Sequence, residues 1–185
     1  MTVTRGPHLV LIGLMGAGKS TVGRRCATAL DRPFVDTDEV VETIARMPVP
    51  TLFATRGEAH FRALESRVLE DACASPVPAV IACGGGAVVD ARNRRRLEHA
   101  GVVVWLQAPP AVLTERVGRG DGRPLLAGPP GAPSRPAPVT ATLERLALLR
   151  ESAYADAADA LVDTVGRSPA EVADEVLRLY SENTT

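Results

Sequence analysis

Short runs of apolar residues alternate along the chain with longer stretches of helical periodicity. The runs fall at Leu9–Ile12, Pro33–Val35, Ala79–Ala82, Val102–Leu106 and Ala160–Val162, each of strand length. Runs of this kind separated by helical segments mean a parallel sheet covered by helices on both faces. The pattern predicts a three-layer α/β/α fold around a central five-stranded parallel sheet. In such open sheets, ligands gather beyond the carboxyl ends of the strands. Function is therefore expected in the loops that follow the runs.

The first of those loops carries the sharpest signal. Gly13-Leu14-Met15-Gly16-Ala17-Gly18-Lys19-Ser20-Thr21 fits the phosphate-binding pattern G-x-x-x-x-G-K-[ST] and follows the apolar run directly. The glycines let the backbone turn tightly and aim its N–H groups inward, Lys19 can reach the β/γ-phosphates, and Ser20 can offer its hydroxyl to a magnesium ion. An amphipathic segment from Lys19 to Leu30 comes next. Strand, glycine loop and helix thus stand in the order an anion site needs, with the positive end of the helix facing the phosphates.

Composition narrows the possibilities further. A chain of 185 residues suits one α/β domain, spanning 1–185. The formal net charge of −1 argues against a nucleic-acid partner, and the basic cluster Arg92, Arg94, Arg95 and Arg96, with no interleaved aromatics, reads as a solvated helix face. Cys26, Cys73 and Cys83 show no C-x-x-C spacing and read as reduced, structural thiols. No apolar stretch approaches the roughly twenty residues of a membrane span. The N-terminal apolar run flows into the glycine loop without a cleavage region, so a cytoplasmic location is expected. The histidines are scattered, which gives a histidine-based metal site little support.

Other loops hold candidate chemistry. Asp36 ends the second run beside the phosphate loop, where such enzymes place the acid that holds magnesium or its water shell. Asp38 lies two positions on, and in extended geometry both carboxylates project to one side; alternatively, Asp38 caps a helix beginning at Glu39. Glu58, Phe61, Arg62 and Glu65 share one helical stripe, either as a surface ion-pair ladder or with Arg62 gripping a substrate carboxylate. Arg150 and Tyr154, four apart on a late helix, repeat that ambiguity. Gly84-Gly85-Gly86 at a strand end is either a plain turn or a place where a small polar ligand meets backbone N–H groups. Gly118–Pro138, dense in Gly, Pro and Ala, reads as a mobile surface loop.

In their order and spacing, the motifs G-x-x-G-x-G-K-S-T, D-T-D, G-E-x-x-F-R-x-x-E, G-G-G, R-P-L-L and R-x-x-x-Y resemble the shikimate kinase family, from Leu9 to about Leu179. The resemblance implies a P-loop fold like that of nucleoside-monophosphate kinases. It also implies phosphoryl transfer from ATP to the 3-hydroxyl of shikimate, on the route to aromatic amino acids, by a monomer using magnesium. It puts the phosphate loop at 13–21, with Gly16, Ala17, Gly18, Lys19, Ser20 and Thr21 on ATP and Ser20 and Asp36 on the metal. A shikimate-binding region at about 38–65 and a lid at about 118–138 follow from it. Lys19, Asp38 and Arg123 become the catalytic groups, Arg123 as the lid arginine. Arg62 and Arg150 fall on the shikimate carboxylate, Asp38 on its hydroxyls and Gly84, Gly85 and Gly86 on its ring substituents. Phe53 and Phe61 wall its pocket, and Arg116, Arg167 and Pro169 pack the adenine. A gluconate-type kinase would share the loop without requiring the set Asp38, Arg62 and Arg150; a regulator that only binds ATP would lack the acceptor site or the lid arginine. Two departures stand out: Ala45-Arg46-Met47-Pro48-Val49 replaces the usual T-G-x-S-I type segment, and the stretch between Arg123 and Arg150 is longer than usual. Pro48 and Pro50 must start the short helix there differently.

Overall fold

Five strands form one fully parallel sheet: β1 His8–Ile12, β2 Phe34–Asp36, β3 Val80–Ala82, β4 Gly101–Gln107 and β5 Ala160–Asp163, in the order β2-β3-β1-β4-β5. The computed structural model describes residues 7–118 and 138–184. All five residues of β1 are buried, which explains why that strand reads as an unbroken apolar run. Helix α1 (Lys19–Leu30) packs with α7 (Pro169–Asn183) on one side of the sheet, and α4 (Ala91–Ala100) with α6 (Val139–Ala157) on the other; α5 (Pro110–Val117) lies against α6. The expected strands fall within one residue of the observed ones at either end, and the α1 boundaries agree. Strand β1 is flanked by β3 and β4, and the chain runs from β1 to one side and from β3 across to the other. The carboxyl end of β1 is therefore the switch point where a ligand crevice opens.

The buried His8 staples the start of β1. Its Nδ1 accepts from the Ala79 N–H at 3.1 Å, which leaves Nε2 to donate to the Ser75 carbonyl, also at 3.1 Å.

Helices α2 (Thr37–Ala45) and α3 (Val49–Cys73) pack on each other around a small apolar nucleus of Val41, Leu52, Phe61 and Val68, separate from the main core. Helix α3 bends at Gly57, whose φ of 79° breaks the helical run. Glu58, Phe61, Arg62 and Glu65 all follow the bend and so keep their common stripe. The unusual start of α3 has a local cause: Pro48 is its N-cap, Pro50 sits in the first turn, and Glu42 from α2 accepts the Val49 N–H at 2.8 Å. Prolines need no hydrogen bond at those positions, and Glu42 satisfies the donor that remains.

Two expectations are corrected here. Helix α2 begins at Thr37 rather than Glu39, and its cap is Asp36, whose Oδ1 accepts the Asp38 N–H at 3.1 Å. Asp36 and Asp38 are therefore a cap and a first-turn residue, not neighbours in extended chain. The basic cluster on α4 is also only partly a solvated face: Arg94 donates to the Val88 and Val89 carbonyls, and Arg96 donates to Ser66, Asn93 and Glu70. These arginines tie α4 to α3 and to the turn after β3.

Candidate active site

A cleft of about 730 Å³ opens at the carboxyl ends of β1, β2 and β3. The glycine loop forms one wall. Gly16 and Gly18 take φ of 83° and 96°, values side chains resist, and Gly18 is the N-cap from which α1 starts. Lys19 bridges the loop, its Nζ donating to the carbonyls of Gly13 at 2.9 Å and Leu14 at 3.0 Å. Ser20 donates its hydroxyl to Asp36 Oδ2 at 2.5 Å, which joins the start of α1 to the end of β2.

Opposite the loop stand the acids and arginines of α2, α3 and α6. Arg62 Nη1 donates to Glu65 Oε2 at 2.7 Å, and Nη2 and Nε donate to Glu58 Oε1 at 3.2 and 3.3 Å. The Phe61 ring lies 5.1 Å from the guanidinium carbon and 4.7 Å from the Phe53 ring. Burial lowers the Arg62 pKa, but Glu65 and Glu58 outweigh it and hold the group above its ordinary value. Glu65 is buried, and its Oε1 has no hydrogen-bond partner among the described residues. Burial raises its pKa; Arg62 and Arg150 oppose the rise, while Asp38 adds to it. Arg150, also buried, donates from Nη1 to the Gly85 carbonyl at 2.9 Å.

The glycine turn after β3 sits between these groups. A side chain at Gly84 would run into the Asp38 and Glu65 carboxylates, and one at Gly86 into the Arg62 guanidinium. The lack of a side chain therefore makes room for the charged groups as much as for any ligand. A Cβ built on Gly85 lies 3.5 Å from Gly13 O and 3.6 Å from Met15 N, so this turn leans on the phosphate loop. Gly84 does not reach the cleft wall, and its N–H is donated to Thr37 Oγ1 at 2.8 Å. The N–H groups of Gly85 and Gly86 have no acceptor among the described residues.

At the far end of the cleft lie Arg116, Arg167 and Pro169. Arg116 is fixed by Thr164, donating to its hydroxyl and its carbonyl at 2.8 Å each. The structure thus brings together every expected site residue among the described ones except Gly84, which stands just behind the wall. Arg123 lies outside the described residues. Thr37 and Thr164 hold the site together without a role read from sequence, and Tyr154, paired with Arg150 in the sequence, holds the glycine turn rather than lining the cleft. The two threonines follow directly on a loaded aspartate and a strand end, which is the one signal that marks them. Among the described residues, no three or more His, Cys, Asp or Glu side chains cluster as a metal cage, and no helix is long and apolar enough to cross a membrane.

The family model for shikimate kinase matches residues 15–181. The chain is 47% identical over 150 residues to a shikimate kinase of Rhizobium meliloti (strain 1021), covering 81% of this chain and 73% of that one. It is 43% identical over 178 residues to a shikimate kinase of Symbiobacterium thermophilum, covering 95% and 97%. A shikimate kinase from Acinetobacter baumannii, solved in complex with shikimate, superposes with a TM-score of 0.88 at 33% identity, over 97% of this chain and 96% of that one. A gluconokinase from Sinorhizobium meliloti 1021 reaches a TM-score of 0.52 at 21% identity over 96% of this chain and 94% of that one, a likeness of fold alone.

Proposed function

The chain belongs to the shikimate kinase family and transfers the γ-phosphoryl group of ATP to the 3-hydroxyl of shikimate; we propose that it does so with the groups gathered around the cleft. The observation that carries this assignment is their arrangement. A phosphate loop and an acid–arginine acceptor site face each other across a glycine turn that touches both.

Transfer of a phosphoryl group passes through a loose transition state, so the protein's tasks are in-line positioning and neutralisation of charge. The loop N–H groups and Lys19 receive the phosphates, with Gly16, Ala17, Gly18 and Thr21 shaping that wall. Arg116, Arg167 and Pro169 take the base. Arg123, in the segment outside the described residues, is assigned to the phosphates as the lid arginine. Ser20 Oγ and Asp36 Oδ2, two hard oxygens 2.5 Å apart beside Lys19, suit a magnesium ion that binds through few protein oxygens and the phosphates themselves. Bound there, magnesium would neutralise charge on the phosphates.

Arg62 and Arg150 bind the shikimate carboxylate. Arg62 is held in place beforehand by two acids and an aromatic face, which reduces the ordering cost of binding. Asp38 accepts the hydrogen bond of the 3-hydroxyl and orients its oxygen toward the γ-phosphate. Gly85 and Gly86 offer N–H groups to the ring substituents, and Phe53 and Phe61 wall the pocket.

The test is a coupled ADP-release assay with shikimate, with gluconate and with no acceptor, alongside Lys19→Met as the inactive control. ADP release that depends on shikimate and disappears in Lys19→Met is the expected result. Equal release with gluconate, or without an acceptor, rejects the assignment.

A further inference from the structure

Two donors converge on one carbonyl at the centre of the site. The Gly85 oxygen accepts from the Tyr154 hydroxyl at 2.5 Å as well as from Arg150 at 2.9 Å. The Gly85–Gly86 peptide is trans, and in a planar trans peptide the carbonyl of one residue and the N–H of the next point in opposite directions. Whatever holds the Gly85 carbonyl therefore aims the Gly86 N–H the other way. Gly86 lines the cleft with Arg62 directly alongside.

The two donors are not equivalent. Arg150 lines the cleft and has a second task there, since its charge is assigned to the acceptor carboxylate. Tyr154 is not on the cleft wall: it is 1% exposed, and its ring stacks on Trp105 at 5.3 Å between centroids. Burial also pushes its phenol above the ordinary value, so it stays protonated and remains a donor.

We propose that Tyr154 is a positioning residue that holds the Gly85 carbonyl and thereby the direction of the Gly86 N–H, leaving Arg150 able to engage the acceptor without releasing the turn. This rests on the assignment of Arg150 and the glycine turn to the shikimate site. The turn leans on the phosphate loop at Gly13 and Met15, so losing its orientation affects the acceptor side first and the nucleotide side only through packing.

Tyr154→Phe removes the hydroxyl and keeps the ring on Trp105, the chain's single tryptophan. The expected result is a rise of about five- to tenfold in KM for shikimate, the scale of one lost hydrogen bond. KM for ATP stays within about twofold and kcat within about threefold, with Trp105 emission unchanged. A shikimate KM within about twofold of wild type, or parallel rises for both substrates, overturns the proposal. Arg150→Ala in the same assay separates the two layers. If it leaves shikimate binding intact, the assignment of Arg150 falls; if it weakens shikimate binding while Tyr154→Phe has no effect, only the positioning role falls. A second measurement needs no variant. With glycine carbonyls labelled by ¹³C, the Gly85 resonance keeps a hydrogen-bonded shift when shikimate saturates the wild-type enzyme; a shift typical of an unbonded carbonyl overturns the proposal.

Discussion

Ser20 and Asp36 meet at 2.5 Å between the first turn of α1 and the end of β2, and the other Asp36 oxygen caps α2. One carboxylate thus caps a helix and, in the proposed function, also holds the metal. Asparagine caps a helix about as well as aspartate but carries no charge for a cation. In Asp36→Asn, the thermal midpoint should stay within a few degrees while kcat falls at least about tenfold and the magnesium concentration for half-maximal rate rises. A magnesium titration at saturating ATP checks this, and an unchanged midpoint for magnesium removes Asp36 from the metal site.

Asp38→Asn keeps size and shape and removes the charge. Turnover should fall by roughly a hundredfold or more if the carboxylate accepts the hydroxyl proton, and by about tenfold if it only orients the oxygen. Steady-state rates at saturating substrates separate the two roles. Wild-type turnover rejects any role for this residue at the acceptor.

Arg62→Ala and Arg150→Ala should each weaken shikimate far more than ATP, because in the proposed site each pairs with the acceptor carboxylate and such a charge-assisted pair is worth roughly 1.5–3 kcal/mol. Calorimetric titration of each ligand measures the contrast. Equal losses for both ligands assign these arginines to structure or to the nucleotide.

Glu65 gives a prediction about pH. Burial raises its pKa above the ordinary 4.5, so the folded state holds this proton more tightly than the unfolded state. Its contribution to stability is full below the ordinary value and is lost as pH rises through the raised one. Glu65→Gln keeps an acceptor for Arg62 and removes the titration. Its thermal midpoint, relative to wild type, should therefore climb as pH rises above the ordinary carboxylate value. A difference that stays flat or declines over that range contradicts a raised Glu65.

The parallel strands were legible because burial on both faces leaves a plain apolar run, and the glycine loop because its pattern sits between a strand and a helix. Asp38 shows where that legibility ended. Its place beside the acceptor was expected from an extended backbone, but the chain is already helical at Thr37, and Asp38 faces the cleft from a first turn instead. The roles of Thr37 and Tyr154 were not legible, although both lie in the motifs, because their importance lies in what they touch. Their partners, Gly84 and Gly85, are 47 and 69 residues away along the chain, and local spacing carries no trace of such contacts. Arg92 and Arg95 are exposed as expected, but the contacts of Arg94 and Arg96 were not legible for the same reason, since a charged helix face looks alike whether it meets water or the carbonyls of a neighbouring turn.

The separate nucleus of Val41, Leu52, Phe61 and Val68 bears on how the enzyme breathes. Packed on this nucleus rather than on the main core, α2 and the first half of α3 are expected to open as a unit while the sheet stays closed. Amide hydrogens in α2 and α3 should exchange with solvent faster than those in β1 and β4. Saturating shikimate should slow that exchange far more than it slows exchange in the sheet, because in the proposed site the ligand would span from Arg62 and Asp38 to Arg150 and bolt the loose unit to the rigid one.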